Sequence, residues 1–132
     1  MMSRTIPSSL HGCSNVHAGV SSSDQHKRSY ISPLSFSVPP DVVWRALRQL
    51  VGNWPRTDVI KDVPGYLKVL SHSRLLRLPD EVEFLLDTHH ACICICSVSK
   101  VLPYDFGSNR RRIEKLRAAL TAQLAQHDAP AP

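Results

Sequence analysis

Asp105-Phe-Gly-Ser-Asn-Arg-Arg-Arg-Ile113 puts three consecutive guanidinium groups at the expected start of a helix. Aligned peptide dipoles already place about half a positive charge there, so cations are unfavourable unless something negative lies close by. Two chemistries meet that requirement. In the first, Arg112 reaches carboxylates of the same chain, drawn from Asp80, Glu81, Glu83 and Asp105. Such an ion-pair network fastens the helix to the rest of the fold. In the second, the N–H groups of Gly107, Ser108 and Asn109, with the forks of Arg110 and Arg111, receive an anionic small molecule or an acidic protein surface. The two are compatible when Arg112 faces inward and its two neighbours face out.

The same carboxylates raise the question of acid–base catalysis. Glu81 and Glu83 share one face of an expected strand, about 6.6 Å apart. A general acid and base must also converge in a pocket that separates their pKa values. Nothing in the sequence requires a pocket there. Cys92, Cys94 and Cys96 with His89 and His90 are the right residue types for zinc, but alternate strand positions spread the outer thiols over about 13 Å. Small buried hydrophobes account for them better, so neither a metal nor a cofactor is expected. Asp105-Phe106-Gly107 matches a kinase triplet only superficially, because the chain lacks the catalytic-loop and phosphate-loop partners.

The elements that would position these groups follow from pattern. Pro39-Pro40-Asp41 suits a helix start, and Val43, Leu47, Leu50 and Trp54 form its apolar stripe until Gly52 and Asn53-Trp54-Pro55 stop it. Trp54 is expected in the core and Trp44 half-buried. Thr57–Lys61, Tyr66–Ser71, Ser73–Leu78 and Glu81–Asp87 read as extended, with a turn at Pro64-Gly65. Thr88-His89-His90 should link the last of these to a return strand over 91–101. Both faces of that strand are apolar, which predicts a central position. Ser108 or Asn109 can cap a closing helix buried through Ile113, Leu116, Leu120 and Leu124. The expected class is α+β: an irregular N-terminal arm over 1–37, then one domain over 38–127. That domain comprises a helix, a four- to five-stranded mainly antiparallel sheet and the closing C-terminal helix; a frayed tail over 128–132 follows.

Composition narrows the class further. The chain has 132 residues, with 42% hydrophobic and 20% charged, as in an ordinary single-domain globular protein. Of the net charge of +5, none comes from residues 41–109, where eight basic side chains meet eight acidic ones. The excess lies on the closing helix and the arm. Nucleic acid is disfavoured as a partner, because no basic stripe with interleaved aromatics is present. No apolar run reaches the 18 or so residues needed to span a bilayer. Alternating cysteines are poorly placed for mutual disulfides, which points to a reducing, cytoplasmic setting. Few acids and scattered basic residues in the arm leave a plastid or mitochondrial targeting peptide as the alternative.

Three stretches together resemble the DUF1499 family of bacterial and plastid domains. Cys13-Ser-Asn-Val-His-Ala-Gly-Val-Ser-Ser22 with Tyr30-Ile-Ser-Pro-Leu34 is similar to the family's leading segment. Leu78-Pro-Asp-Glu-Val-Glu-Phe84 is similar to its acidic strand, and Ser97 to Lys100 with Asp105 to Ile113 to its Ser-x-Ser-Arg…Asp-x-Gly-x-Asn-x-x-Arg-Ile pattern. This chain has Gly19 at the second leader cysteine, Lys100 in place of arginine and Leu102 in place of a glycine. The resemblance spans about residues 13–120, which assigns Cys13 onward to the domain and leaves twelve residues for targeting. It implies a fold and a shared constellation, and no reaction. The expected function is that of a small non-enzymatic binding or interaction domain with a basic helix start. The alternatives are an enzyme using Asp80, Glu81, Glu83 or Asp105, and a structural subunit of a larger assembly.

Overall fold

A computed structural model describes residues 10, 18–23 and 28–127. The expectations for Cys13 and for the tail over 128–132 lie outside them. The element order is β1 (Gly19–Ser21), β2 (Leu34–Ser35), α1 (Pro40–Gly52), β3 (Thr57–Val63), β4 (Tyr66–His72), β5 (Pro79–Asp87), β6 (Cys92–Ser99) and α2 (Ser108–His127). Six strands form one sheet in the order β1-β6-β5-β4-β3, with β2 also pairing to β6, and every one of these ladders is antiparallel. The class is α+β with a closing helix.

Two of the six strands come from a stretch expected to be irregular, because residues 1–37 contribute β1 and β2. Val20, Ile31 and Leu34 are almost fully buried there, and that burial, not periodicity, recruits the segment. Its pairing with β6 depends on Gly19, because a Cβ at this position would sit 2.2 Å from the Ser97 carbonyl oxygen. A second difference concerns Ser73–Leu78. It is a loop rather than a strand, with Leu75 and Leu76 exposed to solvent, and Ser73 closes it by accepting the Leu78 N–H.

Both helices cover one face of the sheet. Val43, Leu47 and Val51 of α1 and Ile113, Leu116 and Leu120 of α2 pack with Leu67, Val69, Val82, Phe84, Ile93 and Ile95. The period of two in β5 and β6 sends these residues to the helices and their neighbours to the other face. There Tyr66, Leu85 and Cys96 form a second, smaller cluster with Leu10. A strand enclosed on both faces reads as continuously apolar, and β6 is that strand. Trp54 packs on Phe84 at a centroid separation of 6.3 Å and closes the core where α1 ends.

Candidate functional site

The start of α2 is organised by a buried polar network around Asn109, whose side chain is fully enclosed. Its Oδ1 accepts from Ser97 Oγ at 2.7 Å and from Arg112 Nη1 at 2.9 Å. Its Nδ2 faces the Ala18 carbonyl, Ser99 Oγ and Asp105 Oδ2 at 2.8–3.2 Å. One side chain thereby joins β1, β6, the loop before α2 and α2 itself. Among the described residues no buried side-chain polar atom lacks a partner. Fully satisfied networks of this kind specify one arrangement, since any other would strand a buried polar group.

Asp105 supplies the negative group that the helix start requires. Its carboxylate accepts the backbone N–H groups of Gly107 at 3.0 Å and Asn109 at 3.1 Å. Burial pushes this carboxyl up, but the bonds from Gly107 and Asn109 outweigh it and hold the group below its ordinary value. Gly107 takes a φ of 82°, and a Cβ there would lie 3.0 Å from Arg111 Nη1.

Arg112 Nη2 meets Asp80 Oδ2 at 2.6 Å, with both side chains largely buried. Glu81 lies 3.4 Å from Lys68 and 3.9 Å from Lys100. Glu83 is buried on the opposite sheet face. Desolvation, with the neighbouring Glu81 carboxylate, raises its pKa against the lowering effect of the Tyr66 hydroxyl and Lys68. The Tyr66 hydroxyl is itself pushed up by burial and by the Glu83 carboxylate. Glu81 and Glu83 therefore share one arrangement with Lys68 and Tyr66, whereas Asp80 and Asp105 are joined through Arg112 and Asn109, and Asp80 alone of the four pairs with Arg112. The Ser108 N–H bonds to the Asp105 carbonyl at 3.1 Å, so an anion at the Gly107–Asn109 amides would have to displace the protein's own groups.

Arg110 and Arg111 are held by carbonyls rather than by acids. Arg110 Nη2 donates to the Arg28 and Tyr30 carbonyls at 3.1 and 2.7 Å, and Arg111 Nη1 to the Phe106 carbonyl at 3.0 Å. Farther along, Arg117 clasps the Ser32 and Pro33 carbonyls. Carbonyls orient a guanidinium without neutralising it. Among the described residues no carboxylate pairs with Arg110 or Arg111.

The concavity lies one turn deeper. A cleft of about 410 Å³ opens between the end of α1, the end of β4 and the first turns of α2. Leu50, Trp54, Leu116 and Ala119 give it apolar walls, and Arg56, His72, Arg112 and Lys115 give it a basic rim. Among the described residues no carboxylate lines it. Arg56 has a left-handed φ of 53°, and its Nε donates to the His72 carbonyl at 3.0 Å. Sequence reasoning missed Arg56, His72 and Lys115. They come from three separate elements, and only the antiparallel return of β4 beside α2 brings them together.

The cysteines divide in an unexpected way. Cys96 is disulfide-bonded, whereas Cys92 and Cys94 are thiols. The expectation of a uniformly reduced set is corrected by Cys96. Spacing along one strand excludes bonding between neighbours and says nothing about a distant partner. Burial, with Cys94 and Asp87 adjacent, pushes the Cys92 thiol up to about 11. The ligand atoms of Asp87, Cys92 and Cys94 lie within 4.8 Å of one another, because Asp87 faces Cys92 across the β5–β6 ladder. His90 Nδ1 is 2.7 Å from Asp87 Oδ2 and holds that carboxyl below its ordinary value. This donor set is of the kind a thiophilic divalent ion would use.

A model of one protein family, described as a protein of unknown function (DUF1499), matches residues 9–120. The chain belongs to the DUF1499 family. No curated protein and no solved structure matches it. The matched DUF1499 region includes both helix starts, the whole sheet, the Asn109 network and every residue of the cleft. Among the described residues no helix is long and apolar enough to cross a membrane.

Proposed function

We propose that this DUF1499 domain is a binding module that takes an anionic small molecule into the cleft beside α2 and performs no chemistry on it. One observation carries the reading: a cleft of small-molecule size rimmed by Arg56, His72, Arg112 and Lys115 and lined, among the described residues, by no carboxylate. Arg112 is the rigid element, oriented by Asp80, Ser97 and Asn109. Its charge is balanced by Asp80, so the net attraction for an anion comes from Arg56 and Lys115. Trp54 and Leu116 offer an apolar wall to the remainder of the ligand. Arg110 and Arg111, which pair with no carboxylate among the described residues, steer anions toward this end of the molecule.

Calorimetric titration of inorganic phosphate, a sugar phosphate and a dicarboxylate tests the proposal. Arg56→Ala/Lys115→Ala should weaken binding about tenfold or more, since two charge-assisted contacts are lost. Arg110→Ala/Arg111→Ala should change it much less. Equal binding by parent and cleft variant would remove the reading. Loss confined to the Arg110/Arg111 variant would return the site to the helix start. The disulfide at Cys96 supports, within this reading, an organelle setting where disulfides persist over the cytoplasm.

A further inference from the structure

Two loops leave neighbouring strands at the same end of the sheet and carry large apolar side chains into solvent. The β4–β5 connection presents Leu75 at 89% exposure and Leu76 at 74%. The segment after β6 presents Val101 at 61%, Tyr104 at 65% and Phe106 at 86%. The loops start side by side, because Asp80 pairs with Ser99 and the Lys100 N–H bonds to the Pro79 carbonyl at 3.0 Å. Exposed residues of this size are ordinary when scattered, but a group of them at one end of the sheet marks an interaction surface.

The charges beside them point to its chemistry. Arg74 and Arg77 bracket Leu75-Leu76 and are exposed, and exposed Arg111 is bonded to the Phe106 carbonyl. The acid within these loops, Asp105, is already used by backbone N–H groups. Arg77 and Phe106 both hold left-handed φ values of 53°, an uncommon conformation for such side chains. Leucine and aromatic side chains next to arginines match a surface whose outer layer is anionic and whose next layer is hydrocarbon. A second protein would present a fixed relief to these separate loop tips, whereas a bilayer adapts to both.

We propose that the 73–78 and 100–107 loops dock the protein on an anionic lipid surface. Leu75, Leu76 and Phe106 enter the acyl boundary, and Arg74, Arg77 and Arg111 meet headgroup phosphates. The contact is peripheral, and none of the six side chains that make it lines the cleft, which shares only Ser73 with these loops, so either reading can fail without the other.

Co-sedimentation with vesicles of phosphatidylcholine, with and without phosphatidylserine, is the test. The full chain should pellet with the phosphatidylserine vesicles and much less with phosphatidylcholine alone. Leu75→Ser/Leu76→Ser should lower partitioning roughly tenfold or more, and Arg74→Gln/Arg77→Gln by about fivefold per arginine removed. Both variants should melt like the parent, because the replaced side chains are exposed. The cleft variant Arg56→Ala/Lys115→Ala should pellet as the parent does. Absence of the parent from every vesicle pellet overturns the proposal, as does sedimentation that the loop variants leave unchanged. Retention on an immobilised acidic polypeptide, without sedimentation on vesicles, overturns it in favour of a protein partner.

Discussion

Glu83 shows how one residue can work against the fold it sits in. Its carboxyl is enclosed between β4 and β6, and burial raises its pKa despite the Tyr66 hydroxyl and Lys68. A raised folded-state value means that the charged form is the less favoured one in the native protein. The native state is therefore relatively more stable below the ordinary carboxylate range, and that advantage is lost as pH rises through the folded value. Glu83→Gln keeps an acceptor for Tyr66 and removes the charge. Its melting temperature should exceed that of the parent at pH 8, and the gap should close as the pH approaches 4. A gap independent of pH would show that the carboxyl is not desolvated. Asn109 is the opposite case, because every polar atom of its side chain has a partner and none carries charge.

At the scale of elements, α2 begins where it does because Asp105 takes up the amides that no helical carbonyl can reach. Asp105→Ala should cost about 1–3 kcal/mol at neutral pH, since it strands two backbone N–H groups and takes away one of the acceptors that Asn109 Nδ2 donates to. The lowered folded-state pKa makes this contribution complete above the ordinary carboxylate range and lost as pH falls through the folded value. Denaturant unfolding at pH 7 and pH 3 should accordingly show the variant approaching the parent in acid. The helices and the β4 to β6 strands were legible in sequence for physical reasons. Each buries one face, and burial imposes a period of 3.6 or 2 on the residues that supply it. Ser73–Leu78 misled because its leucines suggest a buried face, whereas Leu75 and Leu76 are in solvent.

Across the whole molecule, α2 acts as a clasp for the N-terminal segment. Arg110 binds the carbonyls of residues 28 and 30, Arg117 those of residues 32 and 33, and Asn109 that of Ala18. Arg110→Ala/Arg117→Ala should therefore loosen residues 28–36 selectively. Amide exchange at Ile31 and Phe36, whose N–H groups bond to the Ser21 and Ala91 carbonyls, should accelerate by a factor consistent with about 1–3 kcal/mol, while the β5–β6 ladder stays protected. Uniform acceleration across the sheet would show instead that this segment and the core open as one unit.

The sequence by itself determined the α+β class, the order of the main elements, the inward faces of β5 and β6, and the presence of positive side chains at a helix start that called for negative company. Those features are local, because burial periodicity and dipole chemistry act over one or two turns of chain. Tertiary structure alone decided that Asp80, rather than Glu81, Glu83 or Asp105, answers Arg112. It alone recruited residues 19–21 and 34–35 to the sheet and gathered Arg56, His72 and Lys115 around one cleft. Such pairings depend on strand register and on the docking of α2, and a one-residue slip would turn every one of these strand side chains to the opposite face.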